Sequence, residues 1–350
     1  MTNAQLFTVG VLFCEVCYLL VSVIDQSDKE LAGRTDFMRR YPDFIIGGAP
    51  KCGTTSLHFI LDQHEGISIP HDEVHFFDAD DPSSHPDFLA VQNGKLSWWD
   101  PGSDNNEHLD WYADRFSNAK QSQMIGEDST TYLMSEVAPR RIHALLPDVR
   151  MIFMLRHPVN RAYSQYWHLV KTARTTVSFE KALLQFPQIL LGSGYYAGLS
   201  RFIDTFGPDH VKTCLFEDFQ KDNQAVLDDV VGFLGVDPFR IDPEKAWFNK
   251  TKYPSNMALQ RAANLIGTPL VRRKYRGHMA QSGGRGQRIS KKLHYWWFKH
   301  VNTRLMTADK AKPMAPETRV YLEKHLSARN AGLSDLIGRD LSEVWRGMRC

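Results

Sequence analysis

Cysteine is scarce in this 350-residue chain. Its five residues, Cys14, Cys17, Cys52, Cys214 and Cys350, stand at spacings that suggest neither a disulfide framework nor a zinc site. That scarcity fits a reducing compartment, and equally a secretory protein that manages without bridges. Charge of one sign is also lacking. A formal net charge of +2 says little about partners by itself. No internal repeat and no long low-complexity linker follows Tyr41, which argues against arrays and tethered modules. Basic residues are missing ahead of the longest apolar run, Leu6 to Ile24, so this run has no n-region of a standard signal peptide. The first cations, Lys29, Arg34, Arg39 and Arg40, come after it. The run is long enough to span a bilayer. Glu15 interrupts it at a cost of roughly 2.5–3.5 kcal/mol if central. It reads as a marginal signal-anchor, with an amphipathic or buried helix as the alternative.

What the chain does have is organised around Phe44-Ile45-Ile46-Gly47-Gly48-Ala49-Pro50-Lys51-Cys52-Gly53-Thr54-Thr55-Ser56. An apolar strand, a Gly-bearing turn and a helix marked by Leu57, Ile60 and Leu61 make a phosphate cradle, in which turn amides and the helix N-terminus converge on an anion. Gly48, Gly53 and Thr55 keep the frame of the nucleotide-binding P-loop, G-x-x-x-x-G-K-[ST]. Its lysine position holds Thr54, and a lysine stands inside the loop instead, at Lys51. The aspartate that ends a second apolar strand in P-loop NTPases is missing too: Met151-Ile152-Phe153-Met154-Leu155 ends in Arg156. A guanidinium at the carboxyl end of a neighbouring strand faces the same crevice and forks onto phosphate oxygens. Ser164, in the second turn of the helix opened by Pro158, offers another hydrogen bond. Taken alone Arg156 also reads as a strand-end cap; beside the altered loop it reads as a second anion site.

Further apolar runs at Gly66–Pro70, Gln123–Gly126 and Val211–Phe216, and helical stretches at Pro158–Thr172 and Gln224–Leu234, alternate along the chain. They predict an α/β fold: a P-loop-type parallel β-sheet flanked by helices, with a mostly helical C-terminal part from Pro254. The expected division is a terminal segment with a short stem, residues 1–40, and one domain, residues 41–350. Ala79 to Asn106, rich in Pro, Ser, Asp, Asn and Gly, reads as a surface insertion. Arg272 to Lys292 carries eight Lys/Arg and no Asp or Glu, so it is either a solvated loop or a polyanion-binding stretch. His71, Glu73 and His75 form His-x-Glu-x-His rather than the zinc motif His-Glu-x-x-His, and no metal site is expected.

Pro50-Lys51-Cys52-Gly53-Thr54-Thr55-Ser56 resembles the 5′-phosphosulfate loop of sulfotransferases that use 3′-phosphoadenosine 5′-phosphosulfate (PAPS). Leu155-Arg156-His157-Pro158-Val159-Asn160-Arg161-Ala162-Tyr163-Ser164 is similar to their 3′-phosphate motif, and Glu73-Val74-His75-Phe76-Phe77-Asp78 resembles the catalytic-base segment of the heparan sulfate N-/3-O-sulfotransferase branch. Trp111-Tyr112, Glu127 to Tyr132 and Phe233-Leu234-Gly235 are weaker echoes.

The resemblance implies PAPS as co-substrate. Lys51 would stabilise the leaving group. The loop amides from Cys52 and Gly53, with the hydroxyls of Thr54, Thr55 and Ser56, would hold the 5′-phosphate. Arg156 and Ser164 would bind the 3′-phosphate, and Arg285, in Ser282-Gly283-Gly284-Arg285, resembles a later cofactor loop. Glu73 would be the base, with His75 and Asp78 beside it. Asp128 stands where several enzymes of that branch carry an acceptor-site lysine, and Gly283 where they usually carry another. The implied acceptor is a glycan, best guessed as a glycosaminoglycan, with Trp98, Trp99, Trp111, Trp296 and Trp297 as stacking faces; no nucleic acid is expected. The implied place is the Golgi membrane, with the cytoplasm as alternative. Competing readings are sulfation of a small alcohol or lipid, a P-loop kinase or NTPase, and a non-catalytic polyanion-binding protein.

Overall fold

Runs such as Phe44-Ile45-Ile46 and Met151 to Leu155 are apolar on both faces, which a strand satisfies only inside a sheet covered by helices on both sides. The computed structural model describes residues 39–101, 106–242, 252–275, 289, 292–293 and 295–350. Leu6–Ile24, Gly283 and Arg285 lie outside these residues, and no side-chain placement is described for Arg272, Arg273 and Lys274. Tyr41–Cys350 forms one compact unit. Its strands are β1 (Phe44–Gly48), β2 (Ile67–Ser68), β3 (Ala90–Gln92), β4 (Lys95–Ser97), β5 (Met124–Asp128), β6 (Arg150–Leu155) and β7 (Val211–Leu215).

Five of these form a parallel sheet in the order β2-β5-β1-β6-β7. β1 is central, registered with β5 through Phe44↔Gly126 and with β6 through Phe44↔Arg150. Every residue of β1 is buried, as are Met151 to Leu155. At about 1.5–3 kcal/mol for each large side chain taken from water, these two strands anchor the core. The chain visits one side of β1 for β2 and β5, then crosses to the other for β6 and β7. That reversal makes the carboxyl ends of β5, β1 and β6 a topological switch point, where open α/β sheets form their ligand crevice. The helices Thr54–Leu61 and Pro158–Lys171 both start from that edge. The parallel sheet with flanking helices is the fold class expected, and the described C-terminal residues are mostly helical, including Met257–Tyr275 and Pro316–Arg329.

Two expectations are corrected. The segment read as a surface insertion is only partly at the surface. Ala79 and His85 are buried, Asp80 pairs with Arg141 on the helix Ala138–Leu145, and Asp87 pairs with Arg174; the hairpin β3–β4 beyond them is exposed, as at Val91 and Leu96. Its polar composition hid this, because aspartates that find arginine partners look in sequence like solvated loop residues. Of the tryptophans offered as sugar-stacking faces, Trp111 and Trp297 are buried, Trp297 in a small second core with Ala173 and Val271. Trp99 packs against Phe76 and His108, while Trp98 and Trp296 remain exposed. Among the described residues no helix is long and apolar enough to cross a membrane.

Candidate active site

The phosphate loop leaves β1 through backbone that only particular residues tolerate. Gly48 has φ +146°, and a Cβ there would meet the Thr130 carbonyl oxygen at 2.7 Å. Gly53 has φ +93°, and a Cβ would meet the Phe216 ring at 2.7 Å. Lys51, which has a side chain, nevertheless sits at φ 71°, a region few non-glycine residues occupy. Neighbouring elements hold it there. Ala49 N–H donates to Met154 O (2.8 Å), Arg161 Nε–H to Pro50 O (2.9 Å) and an Arg156 guanidinium N–H to Lys51 O (3.2 Å). The helix Thr54–Leu61 follows with no side-chain cap and no acid in its first turn. Its first amides lack intrahelical acceptors and carry the positive end of the helix dipole, the arrangement that binds phosphate. Thr54 and Ser56 are buried, while Gly53 and Thr55 are half-buried. Cys52 lies against Tyr195 Oη (3.8 Å), and burial pushes its thiol up to about 11. It is an inert packing residue.

Around the loop stands a group of cations with few anions among them. Arg156 lies over the Phe216 ring, 4.7 Å from its centroid. Arg161 is wholly buried and meets only neutral oxygens: besides Pro50 O, its Nη1 donates to Gln188 O (3.0 Å) and Ile189 O (3.1 Å). Arg161→Ala strands three carbonyls, each costing about 1–3 kcal/mol. We expect a loss of about 3 kcal/mol or more in denaturant unfolding, with a loosened phosphate loop. Ser164, His168 and Lys171 recur at i, i+4 and i+7 and so share one stripe of the helix Pro158–Lys171. Lys51 is lowered to about 8, first by burial and then by Lys171, while Glu73 opposes the shift. His168 is held well below its ordinary value by burial and by Lys51, and is neutral at neutral pH.

The third component comes from the segment after β2. Glu73 Oε2 accepts from His75 Nε2–H at 2.7 Å, and Glu73 Oε1 accepts from Thr130 Oγ1–H at 3.1 Å. Burial alone would raise Glu73; the His75 charge and the hydrogen bonds from His75 and Thr130 carry it below its ordinary value. Burial would lower His75, but Glu73 raises it on balance. The pair therefore favours the carboxylate–imidazolium form. The sign follows from each shift. The carboxylate's contribution to stability is lost as pH falls through its depressed pKa, and the imidazolium's as pH rises through its raised one.

His75 has φ 54°, like Lys51 a non-glycine residue in left-handed backbone. Its amide donates to Ser129 Oγ (2.9 Å), and the amide of Phe77 to Tyr132 Oη (3.3 Å). Both hydroxyls donate at 2.6 Å to the wholly buried Glu127, which Tyr112 also bonds. The echoes Glu127–Tyr132 and Tyr112 thus brace the Glu73–Asp78 segment from behind.

The fold brings Glu73, His75, Lys51, Thr54, Thr55, Ser56, Arg156 and Ser164 to the carboxyl edge of β1, β5 and β6. Asp78 is fully buried, bonds His85 and lies within 4.8 Å of His75, behind the Glu73–His75 pair. Asp128 is buried at the end of β5, 3.1 Å from His58 Nδ1, with burial raising it to about 6. It is not a free acceptor contact. Sequence reasoning gave Thr130 and Thr131, inside the echo Glu127 to Tyr132, no role of their own, and missed His85, His168 and Lys171. The helical stripe from Ser164 was a signal for the last two; nothing local marked His85.

Residues 42–240 match the profile of the Sulfotransferase family. The chain is 29% identical over 254 residues to the human bifunctional heparan sulfate N-deacetylase/N-sulfotransferase 2, covering 64% of this chain and 26% of that protein. It is 29% identical over 230 residues to the mouse bifunctional heparan sulfate N-deacetylase/N-sulfotransferase 1, covering 61% and 24%. The chain thus spans about a quarter of the length of these curated relatives. Among solved structures, the sulfotransferase from Alicyclobacillus acidocaldarius superposes with a TM-score of 0.56 at 26% identity, over 88% of this chain and 99% of that one. The match covers the phosphate loop, the Glu73–Asp78 segment and the Arg156–Ser164 motif, and with it the chain belongs to the sulfotransferase family.

Proposed function

We propose that the protein transfers the sulfuryl group of PAPS to a hydroxyl or amine of a glycosaminoglycan, heparan-sulfate-like in kind. The observation that carries this reading is Lys51 held at φ 71° inside the loop after β1, with the Glu73–His75 pair (2.7 Å) close enough for the Glu73 charge to act on it. Glu73 takes the acceptor proton as the acceptor lone pair forms the new bond to sulfur. The bond from sulfur to the bridging oxygen breaks, and its electron pair stays on the departing 5′-phosphate. The Lys51 ammonium and the first-turn amides of Thr54 and Thr55 meet that charge as it develops, which is where preorganised donors act most strongly. Fixed cations supply what a divalent ion supplies in P-loop NTPases, so the missing Walker aspartate is not a loss. Arg156 and Ser164 hold the 3′-phosphate, and by the family resemblance Arg285 is a further cofactor contact. The acceptor class rests on the relatives named above, and Arg272 to Lys292 suits a polyanion. The same reading places the enzyme in the Golgi, with Leu6–Ile24 as its anchor.

The deciding experiment incubates the protein with labelled PAPS and a panel of glycans, small alcohols and lipids. Transfer to a glycosaminoglycan supports the proposal. ATP turnover without sulfation, or glycan binding without transfer, overturns it. The 3′-phosphate assignment has its own test. Arg156→Ala removes a charge-assisted bond worth about 1.5–3 kcal/mol, so it should weaken 3′-phosphoadenosine 5′-phosphate far more than adenosine 5′-phosphosulfate, which has no 3′-phosphate. Equal losses in a calorimetric titration would reassign Arg156.

A further inference from the structure

Behind the Glu73–His75 pair lies a second layer built from the segment that looked like a surface insertion. Thr131 Oγ1 is 3.1 Å from His75 Nδ1 and 3.1 Å from His85 Nε2, and His85 Nε2 is 3.0 Å from Asp78 Oδ1. Asp78 is fully buried and His85 nearly so. The two imidazoles lie 4.5 Å apart by centroid, and His85 stacks on Phe88 at 4.5 Å with planes 6° apart. The turn carrying His85 is pinned on both sides. Arg141 forks onto Asp80 (2.7 and 2.9 Å) and donates to Phe77 O (3.0 Å), while Arg174 Nε donates to Asp87 (2.8 Å).

The hydrogens in this layer follow from its acceptors. A carboxylate only accepts, so His85 Nε2 carries the proton and shares it between Asp78 and Thr131. Glu73 likewise requires Nε2–H on His75. Burial would raise Asp78, but the charge and hydrogen bond of His85 carry it below its ordinary value. When His75 is the imidazolium both ring nitrogens donate, and Thr131 Oγ1, 3.1 Å away, is the acceptor for Nδ1–H. The groups facing His75 are Glu73 and Asp78 from its own segment, His85 from the turn, Asp128 from β5, and the hydroxyls of Thr131 and Ser129. His75, Asp78 and His85 also present ligand-type atoms within 4.8 Å of one another. The Thr131 hydroxyl stands between the two imidazole nitrogens, and hydrogen bonds link these side chains, while Asp78 Oδ2 has no partner among the described residues.

We propose that His85 is a positioning residue for sulfuryl transfer: through Asp78 and Thr131 it holds His75 as the imidazolium that keeps the Glu73 carboxylate aimed and ionised. This rests on Glu73 as the base. His85 touches neither substrate nor the reacting atoms; it acts through His75.

The test compares wild type, His85→Gln, Thr131→Val, the double variant and Glu73→Gln. It measures kcat, both KM values and the NMR titration of the His75 ring. His85→Gln should lower kcat by about 10–100-fold, the usual consequence of misaiming a catalytic group. The PAPS KM should stay unchanged and the His75 midpoint should fall. Thr131→Val should do the same, and the double variant should be no worse than the stronger single one, as for residues acting in one chain. A folded His85→Gln protein with wild-type kcat and an unmoved His75 midpoint overturns the proposal. So does stoichiometric zinc in the purified wild type that is lost in His85→Gln. If His85→Gln does not fold, Thr131→Val decides by the same two readings. Wild-type turnover by Glu73→Gln would overturn the base assignment instead, whatever the His75 midpoint does in the other variants.

Discussion

Glu73→Gln is expected to lower kcat by roughly 10²–10⁴-fold, the range for removing a positioned general base, with folding and affinity for 3′-phosphoadenosine 5′-phosphate nearly unchanged. The substitution keeps the shape of the side chain and its bond from Thr130 Oγ1. It abolishes basicity and the charge that holds His75. Two functions are open to this carboxylate: deprotonating the acceptor, or serving as a structural ion pair. Its ion pair is with His75 at 2.7 Å, which leaves the Lys51 ammonium for the donor. A structural role would put the main loss in the unfolding midpoint or in cofactor binding, so single-turnover kinetics beside a denaturant titration separate the two. Turnover near the wild-type rate would remove the base assignment.

Lys51→Ala should cost about 10²–10³-fold in kcat, as removal of one preorganised donor to a developing oxyanion does. Its pH dependence is the sharper signature. Burial and Lys171 lower Lys51 to about 8 in the free protein. The ammonium is therefore present below that pH and is lost above it, so affinity for 3′-phosphoadenosine 5′-phosphate should decline as pH rises through about 8. Bound phosphates stabilise the ammonium, so the alkaline limb of kcat should lie at higher pH than that of kcat/KM. Lys51→Arg carries a charge that does not titrate in this range, and should flatten the decline in affinity even if the longer side chain misplaces the charge and lowers kcat. A binding curve in wild type with no change between pH 7 and 10 would contradict the assignment.

Much of this protein is determined by its sequence alone, for local reasons. The apolar runs at Phe44 and Met151 can only be interior parallel strands. Gly48 and Gly53 bracket a turn that needs left-handed backbone, and the displacement of the cation from the helix to Lys51 is visible without any structure. Those facts sufficed for the α/β class, the anion crevice and the family, because each depends on residues within about a dozen positions of one another. The environment of the base is another matter. His85 and Thr131 come from either side of a 46-residue gap, and they meet only because β5 and the segment after β2 end at the same sheet edge. Asp78 pairs with His85 because Arg141 and Arg174 pin the turn that carries His85. Asp128 became a buried partner of His58, and Trp297 a core residue, because burial of a polar or aromatic side chain is decided by what the rest of the chain packs against it. Periodicity reports which face of an element is apolar. It holds no information on which distant hydroxyl or carboxylate will satisfy a buried histidine, so the layer that aims Glu73 belongs to the tertiary structure alone.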